Sequence, residues 1–189
     1  MLFRSQVFDL DSPPAGLVLT HFYGGAAGDI AADTALHGDF DADGIADLAF
    51  SSPHGSPLGR PGAGILHLFF GRSGGWPASI DLAPGLLPDT DQIRITEIYG
   101  ANGTSGSDAG DTLAYSGAAG DLNGDGRIDL ITNEMLGNGV LPAAEDDGNL
   151  IVVSGSIISP FLIPALPPIA VALLIAVLLA LGYVFTRRR

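Results

Sequence analysis

The chain has 189 residues, room for one ordinary domain and a tail, with 21 acidic residues against eight basic ones and a formal net charge of −13. It contains no cysteine, which excludes disulfides, thiol chemistry and Cys-type zinc clusters. Arg187, Arg188 and Arg189 close the chain, so residues 1–186 hold five basic groups against 21 acidic ones, or −16; that excess argues against nucleic acid or anionic membrane as partners of the folded part, because phosphate contacts need Lys and Arg.

With 27 Gly and 13 Pro, the body reads as turn-rich and all-β. Residues 1–6 form a short leading segment, and Met1 to Pro14 hold no apolar run of signal-peptide length, so an upstream piece or another export route is expected. Leu17 to Phe22 then alternate as a strand ending at Tyr23-Gly24. A Gly/Asp-rich stretch follows, expected to be a loop. After it comes Asp39-Phe40-Asp41-Ala42-Asp43-Gly44-Ile45-Ala46-Asp47-Leu48, with oxygen side chains at positions 1, 3, 5 and 9 around a glycine at 6. That spacing lets a short loop wrap a hard cation, and carboxylates this close repel one another unless a cation sits among them. Ile45 to Phe50 read as the strand leaving the loop, and Gly64 to Gly71 bound a buried apolar strand.

The same order returns downstream. Gln92 to Gly100 repeat the Tyr-Gly strand, with Leu17 aligned to Ile93, Leu19 to Ile95 and Thr20 to Thr96. Asp121, Asn123, Asp125 and Asp129 repeat the loop around Gly126, Ile128 to Thr132 the strand leaving it, and Gly148 to Gly155 the apolar run. Residues 7–71 and 79–155 are therefore two copies of one unit, joined by 72–78, where Trp76 is expected to plug the space between blades. Seven of the 21 acids lie in the two loops, whose charge a bound cation would offset.

After a short 156–160 linker, Phe161 to Phe185 carry no charge, and residues 161–186 read as a transmembrane helix, since about 20 apolar residues cross the hydrocarbon core. The basic end, 187–189, is expected in the cytoplasm, which places residues 1–159 outside.

With both units in view, the chain resembles the FG-GAP repeats of the integrin alpha-chain β-propeller and their bacterial relatives. Gly38 to Leu48 and Gly120 to Leu130 match the family's Gly-Asp-x-(Asp/Asn)-x-Asp-Gly-x-x-Asp-Leu stretch. The resemblance implies a calcium site at Asp39, Asp41, Asp43, the carbonyl of Ile45 and Asp47. It implies a second at Asp121, Asn123, Asp125, the carbonyl of Arg127 and Asp129. Leu113-Ala114 stand at the Phe-Gly place, and Ser51-Ser52-Pro53 and Asn133-Glu134-Met135 at the Gly-Ala-Pro place, which are departures from the family pattern. Two units are fewer than the ~4–8 blades of a closed propeller, so the expectation is either a fragment of a longer protein or a chain whose open blade edges invite association. The segment Ile163-Pro164-Ala165-Leu166, the apolar stretch and the terminal arginines resemble bacterial C-terminal sorting signals.

An EF-hand or dockerin loop needs an acid at position 12, where this chain has Phe50 and Thr132. The loops are therefore expected to connect blades. His21, His37, His54 and His67 share no metal-site spacing, and Ser51, Ser52 and Ser105 show no nucleophile motif, so no enzymatic role is expected. The fold expected is all-β, two blade-like repeats in a partial propeller, followed by one membrane helix. The function expected is a calcium-bound, membrane-anchored surface module recognising a protein or glycan, with calcium structural and no nucleic acid bound. The alternative is the non-catalytic stalk of a secreted hydrolase or phosphodiesterase whose catalytic domain lies upstream.

Overall fold

A computed structural model describes residues 8–84, 86, 93–139 and 145–158. The described residues are β-structure apart from one 3-10 turn at Pro57–Gly59 and a single helical turn, α1, at Gly155–Ile158. No helix among them is long and apolar enough to cross a membrane. The expected membrane helix at 161–186 and the sorting-signal segment lie outside the described residues.

Among the described residues, nine strands make three sheets. β2 (Ala35–Gly38), β3 (Asp47–Ser52), β4 (Ile65–Phe69) and β6 (Ile95–Tyr99) form an antiparallel sheet in the order β2-β3-β4-β6. β7 (Leu113–Gly120), β8 (Asp129–Glu134) and β9 (Asn149–Val153) form a second antiparallel sheet in chain order. β1 (His21–Tyr23) pairs in parallel with β5 (Ser79–Asp81). The sheets thus cut across the sequence repeat: β6 belongs to the second unit by sequence but completes the sheet of the first.

Alternation along β3 and β4 decides which side chains meet which neighbour. Ala49, Leu66, Leu68 and Phe70 join Phe40, Leu113 and Leu130 in a core between the first and second sheets. Phe50 and Phe69 turn the other way and pack with Ile80, Leu82 and Ile93, flanked by Phe22 and Trp76. Both faces of β4 are covered, so it reads as an apolar run broken only by His67; β9 is covered on one face and its burial alternates. Backbone bonds Thr112 N–H to Gly62 O (3.0 Å) and Leu113 N–H to Ala63 O (2.9 Å) tie the sheets together.

Several expectations are corrected. The Gly/Asp-rich stretches before the two acidic loops hold strands β2 and β7, whose Gly- and Ala-rich sequences carry weak β-propensity and become strands by pairing with β3 and β8. The acidic loops join neighbouring strands of one sheet rather than successive blades. Trp76 lies on the face of the first sheet that turns away from the second, edge-on to Phe22 and Phe69 at 5.9 and 6.0 Å between ring centres. It fills the space between the first sheet and the β1–β5 pair, not the space between the first and second sheets. The strand expected from Leu17 begins only at His21.

Candidate metal centre

Each acidic loop spans one hairpin, closed by Gly38 opposite Asp47 in the first sheet and by Gly120 opposite Asp129 in the second. In the first loop Asp39 accepts the N–H groups of Asp43 (3.0 Å) and Gly44 (2.9 Å) on its two oxygens. Asp41 Oδ1 also accepts Asp43 N–H (3.2 Å), and Asp43 Oδ1 accepts Ile45 N–H (2.8 Å). The second loop repeats the pattern. Asp121 accepts Gly124, Asp125 and Gly126 N–H, Asn123 Oδ1 accepts Asp125 N–H, and Asp125 Oδ1 accepts Arg127 N–H. Gly44 and Gly126 turn the chain at φ 87° and 82°, a region costly for any side chain, which is why position 6 is glycine twice.

The structure gathers Asp39, Asp41 and Asp43 so that one carboxylate oxygen of each lies within 4.8 Å of the others. Asp47 and Asp129 do something further. Asp47 accepts Phe40 N–H and Gly71 N–H, both at 2.6 Å, and Asp129 accepts Leu122 N–H (2.9 Å) and Gly155 N–H (2.8 Å). Each buried carboxylate therefore fastens the start of its loop to the glycine two residues beyond the third strand of its sheet. Burial pushes Asp47 up from the ordinary aspartate range against the pull of those amides, and the nearby Asp41 carboxylate adds to the rise. Asp129 is held below that range, first by the Gly155 amide and then by Leu122. The second loop carries neutral Asn123 where the first carries Asp41. Ile45 and Arg127 stand where each loop turns back into its sheet, on N–H bonds to Asp43 and Asp125.

Arg94, just before β6, donates to Asp41 Oδ2 at 2.8 Å and lies over the Phe70 ring at 4.4 Å. One cation already faces the position-3 acid of the first loop.

Residues 31–69 match the family model of the FG-GAP repeat. The matched stretch runs through β2, the first acidic loop, β3 and β4, so it covers three of the four strands of the first sheet and supports the FG-GAP and integrin-like resemblance there. The all-β sheets of the described residues fit FG-GAP units built as blades. No curated protein matches the chain.

The sequence reading missed one polar chain. Ser52, His67 and Glu97 come from β3, β4 and β6 onto one face of the first sheet: Ser52 Oγ lies 3.0 Å from His67 Nε2, and His67 Nδ1 lies 2.9 Å from Glu97 Oε1. A carboxylate can only accept, so Nδ1 donates to Glu97, and in the neutral ring Nε2 accepts the Ser52 proton. Tyr99 donates to the other Glu97 oxygen, and its hydroxyl is pushed up to about 12, mainly by that bond. The order Ser-His-Glu is that of a nucleophile relay, yet Ser52 is 1 % exposed and its hydroxyl is turned to His67. His67, Glu97 and Tyr99 line a cleft of about 560 Å³ with Asp29 and His54; Ser52 is not among its walls. No spacing rule finds these residues, because strand pairing brings them together across 45 positions of sequence; knowing the hairpin register would have placed them on one face.

Proposed function

We propose that the chain is a calcium-stabilised, membrane-anchored surface module of the FG-GAP type, of bacterial kind, that recognises a protein or glycan. Calcium is structural in this reading. The observation that carries it is the duplication of one loop plan: acids or amides at positions 1, 3 and 5 converge, while a buried acid at position 9 ties the loop to the end of the sheet's third strand. Asp39, Asp41, Asp43 and Asp47 would hold one ion with the Ile45 carbonyl. Asp121, Asn123, Asp125 and Asp129 would hold the other with the Arg127 carbonyl. The oxygen-only donor set suits a hard divalent cation, whose charge would offset the crowded carboxylates. In the first loop the ion would share Asp41 with the Arg94 guanidinium.

Calcium that binds the folded loops and not the unfolded chain adds to stability. The anchoring part rests on the uncharged stretch from Phe161 to Phe185 and the three arginines after it. The absence of catalysis in this reading is supported by the buried, inward-facing Ser52. The test is thermal melting of the full chain in mild detergent across a calcium titration. With sites in the ~10⁻⁴–10⁻³ M range of extracellular modules, ~10 mM calcium adds about 1.4–2.7 kcal/mol per site. A melting temperature unmoved by both calcium and chelator sinks the proposal.

A further inference from the structure

The two sheets are built on one plan but differ in what covers them. Phe40, Leu66 and Leu68 are 1, 1 and 0 % exposed between the sheets, whereas their repeat counterparts Leu122, Leu150 and Val152 are 55, 75 and 53 % exposed. The first sheet has a fourth strand, β6, on β4; the second ends, among the described residues, at β9.

The edge of β9 has a defined polarity. Phe70 N–H bonds Arg94 O and Gly100 N–H bonds Gly64 O, so by the alternation of an antiparallel ladder Gly64, Leu66, Leu68 and Phe70 are the β4 residues that bond β6. Their counterparts on β9, Leu150 and Val152, point their backbone groups away from β8. The β6 residues that bond β4 are Arg94, Thr96, Ile98 and Gly100, and the aligned first-unit residues are Val18, Thr20, Phe22 and Gly24.

The first-unit strand carries the matching edge. His21 N–H bonds Ala78 O and Tyr23 O accepts Leu82 N–H, so residues 21 and 23 face β5 and the backbone groups of Phe22 face the other way. Phe22 also sits against Phe50 and Phe69 of the first sheet, as Ile98 of β6 sits against the core that includes Leu130 of the second. Thus β1 is placed as the fourth strand of a sheet that precedes its own, and β9 is the third strand of a sheet that has no fourth among the described residues.

We propose that β1 of one copy pairs antiparallel with the free edge of β9 of a second copy, in the register that places Thr20 opposite Val152 and Phe22 opposite Leu150, as Thr96 stands opposite Leu68 and Ile98 opposite Leu66. The contact is head-to-tail, so repeating it closes a ring where the rotation between copies divides a full turn and runs on as a filament where it does not. Pairing gives the exposed strand its missing ladder and draws Leu122, Leu150 and Val152 into an interface. Neither edge belongs to the acidic loops, so a protein indifferent to calcium can still assemble this way.

The chain has no cysteine, which makes the register testable with single thiols. Full-length Thr20→Cys and Val152→Cys are mixed in mild detergent with calcium and oxidised. The expected result is a disulfide-linked pair in the mixture at least ten times more abundant than in either protein alone. Thr20→Cys mixed with Leu150→Cys, two residues out of register, is expected to cross-link at the background level. Val152→Pro removes an outward N–H that β8 does not use, and is expected to reduce the native mass to one chain with the melting curve retained. Equal cross-linking in the mixture and in the separate proteins, or a wild-type mass of one chain at every concentration, overturns the inference.

Discussion

At Asp47 and Asp129 one carboxylate does the work of two backbone caps. Each accepts an N–H from the loop it closes and another from the glycine two residues beyond the third strand, so the loop and the sheet order together. Replacing Asp47 with Ala leaves two amides without their partner in a buried site, at a cost of roughly 2–6 kcal/mol from about 1–3 per stranded group. Urea unfolding in chelator reads this directly, since no metal term then contributes. If Asp47→Ala unfolded at the wild-type midpoint, its role as a fastener would be wrong. The sequence marked both aspartates through the spacing of the loop, but as members of a ligand set; their bonds to Gly71 and Gly155 depend on a strand returning 24 and 26 residues later.

Among the elements, β3, β4 and β6 are stitched by the Ser52–His67–Glu97 chain across one face of the sheet. The His67 hydrogen bond is the main cause holding Glu97 below the ordinary glutamate range, against its burial. The folded protein therefore binds that proton less readily than the unfolded chain. The stability from this link is full above the ordinary glutamate range and is lost as the pH falls through the lowered Glu97 value. Asp47, raised by burial, works in the opposite sense: its contribution is full below the ordinary aspartate range and declines as the pH rises through its raised value. Stability measured from about pH 6 to about pH 3 in chelator should show a shallower acid loss in Glu97→Gln than in wild type. Identical slopes would remove Glu97 from the account.

Over the whole unit, the first sheet is enclosed on both faces and the second on one. The far face of the first sheet is closed by an aromatic group in which Phe50 and Phe69 stack at 5.5 Å and Trp76 meets Phe69 edge-on. Trp76→Ala is expected to lower the unfolding free energy by roughly 2–3 kcal/mol, less than the ~3–5 of a fully buried aromatic, because the indole is only half-buried. Calcium affinity, measured by isothermal titration, should stay at its wild-type value, because the cap touches neither loop. A loss of calcium affinity in that variant would couple cap and loops where the structure shows no contact between them.

The amino-acid sequence by itself determined the parts that depend on local spacing. The all-β character, the two acidic loops with glycine at position 6 and the apolar runs between glycines follow from residues a few positions apart, and the duplication follows from the return of that order downstream. Only the tertiary structure decided how those parts are shared. That β6 completes the sheet of the preceding unit, that Gly- and Ala-rich segments become β2 and β7, and that Ser52, His67 and Glu97 meet are consequences of strand pairing. Pairing joins residues tens of positions apart, through backbone bonds that carry no residue code. Among the described residues, the same pairing gives β1 one partner strand, β5, and β9 one partner strand, β8.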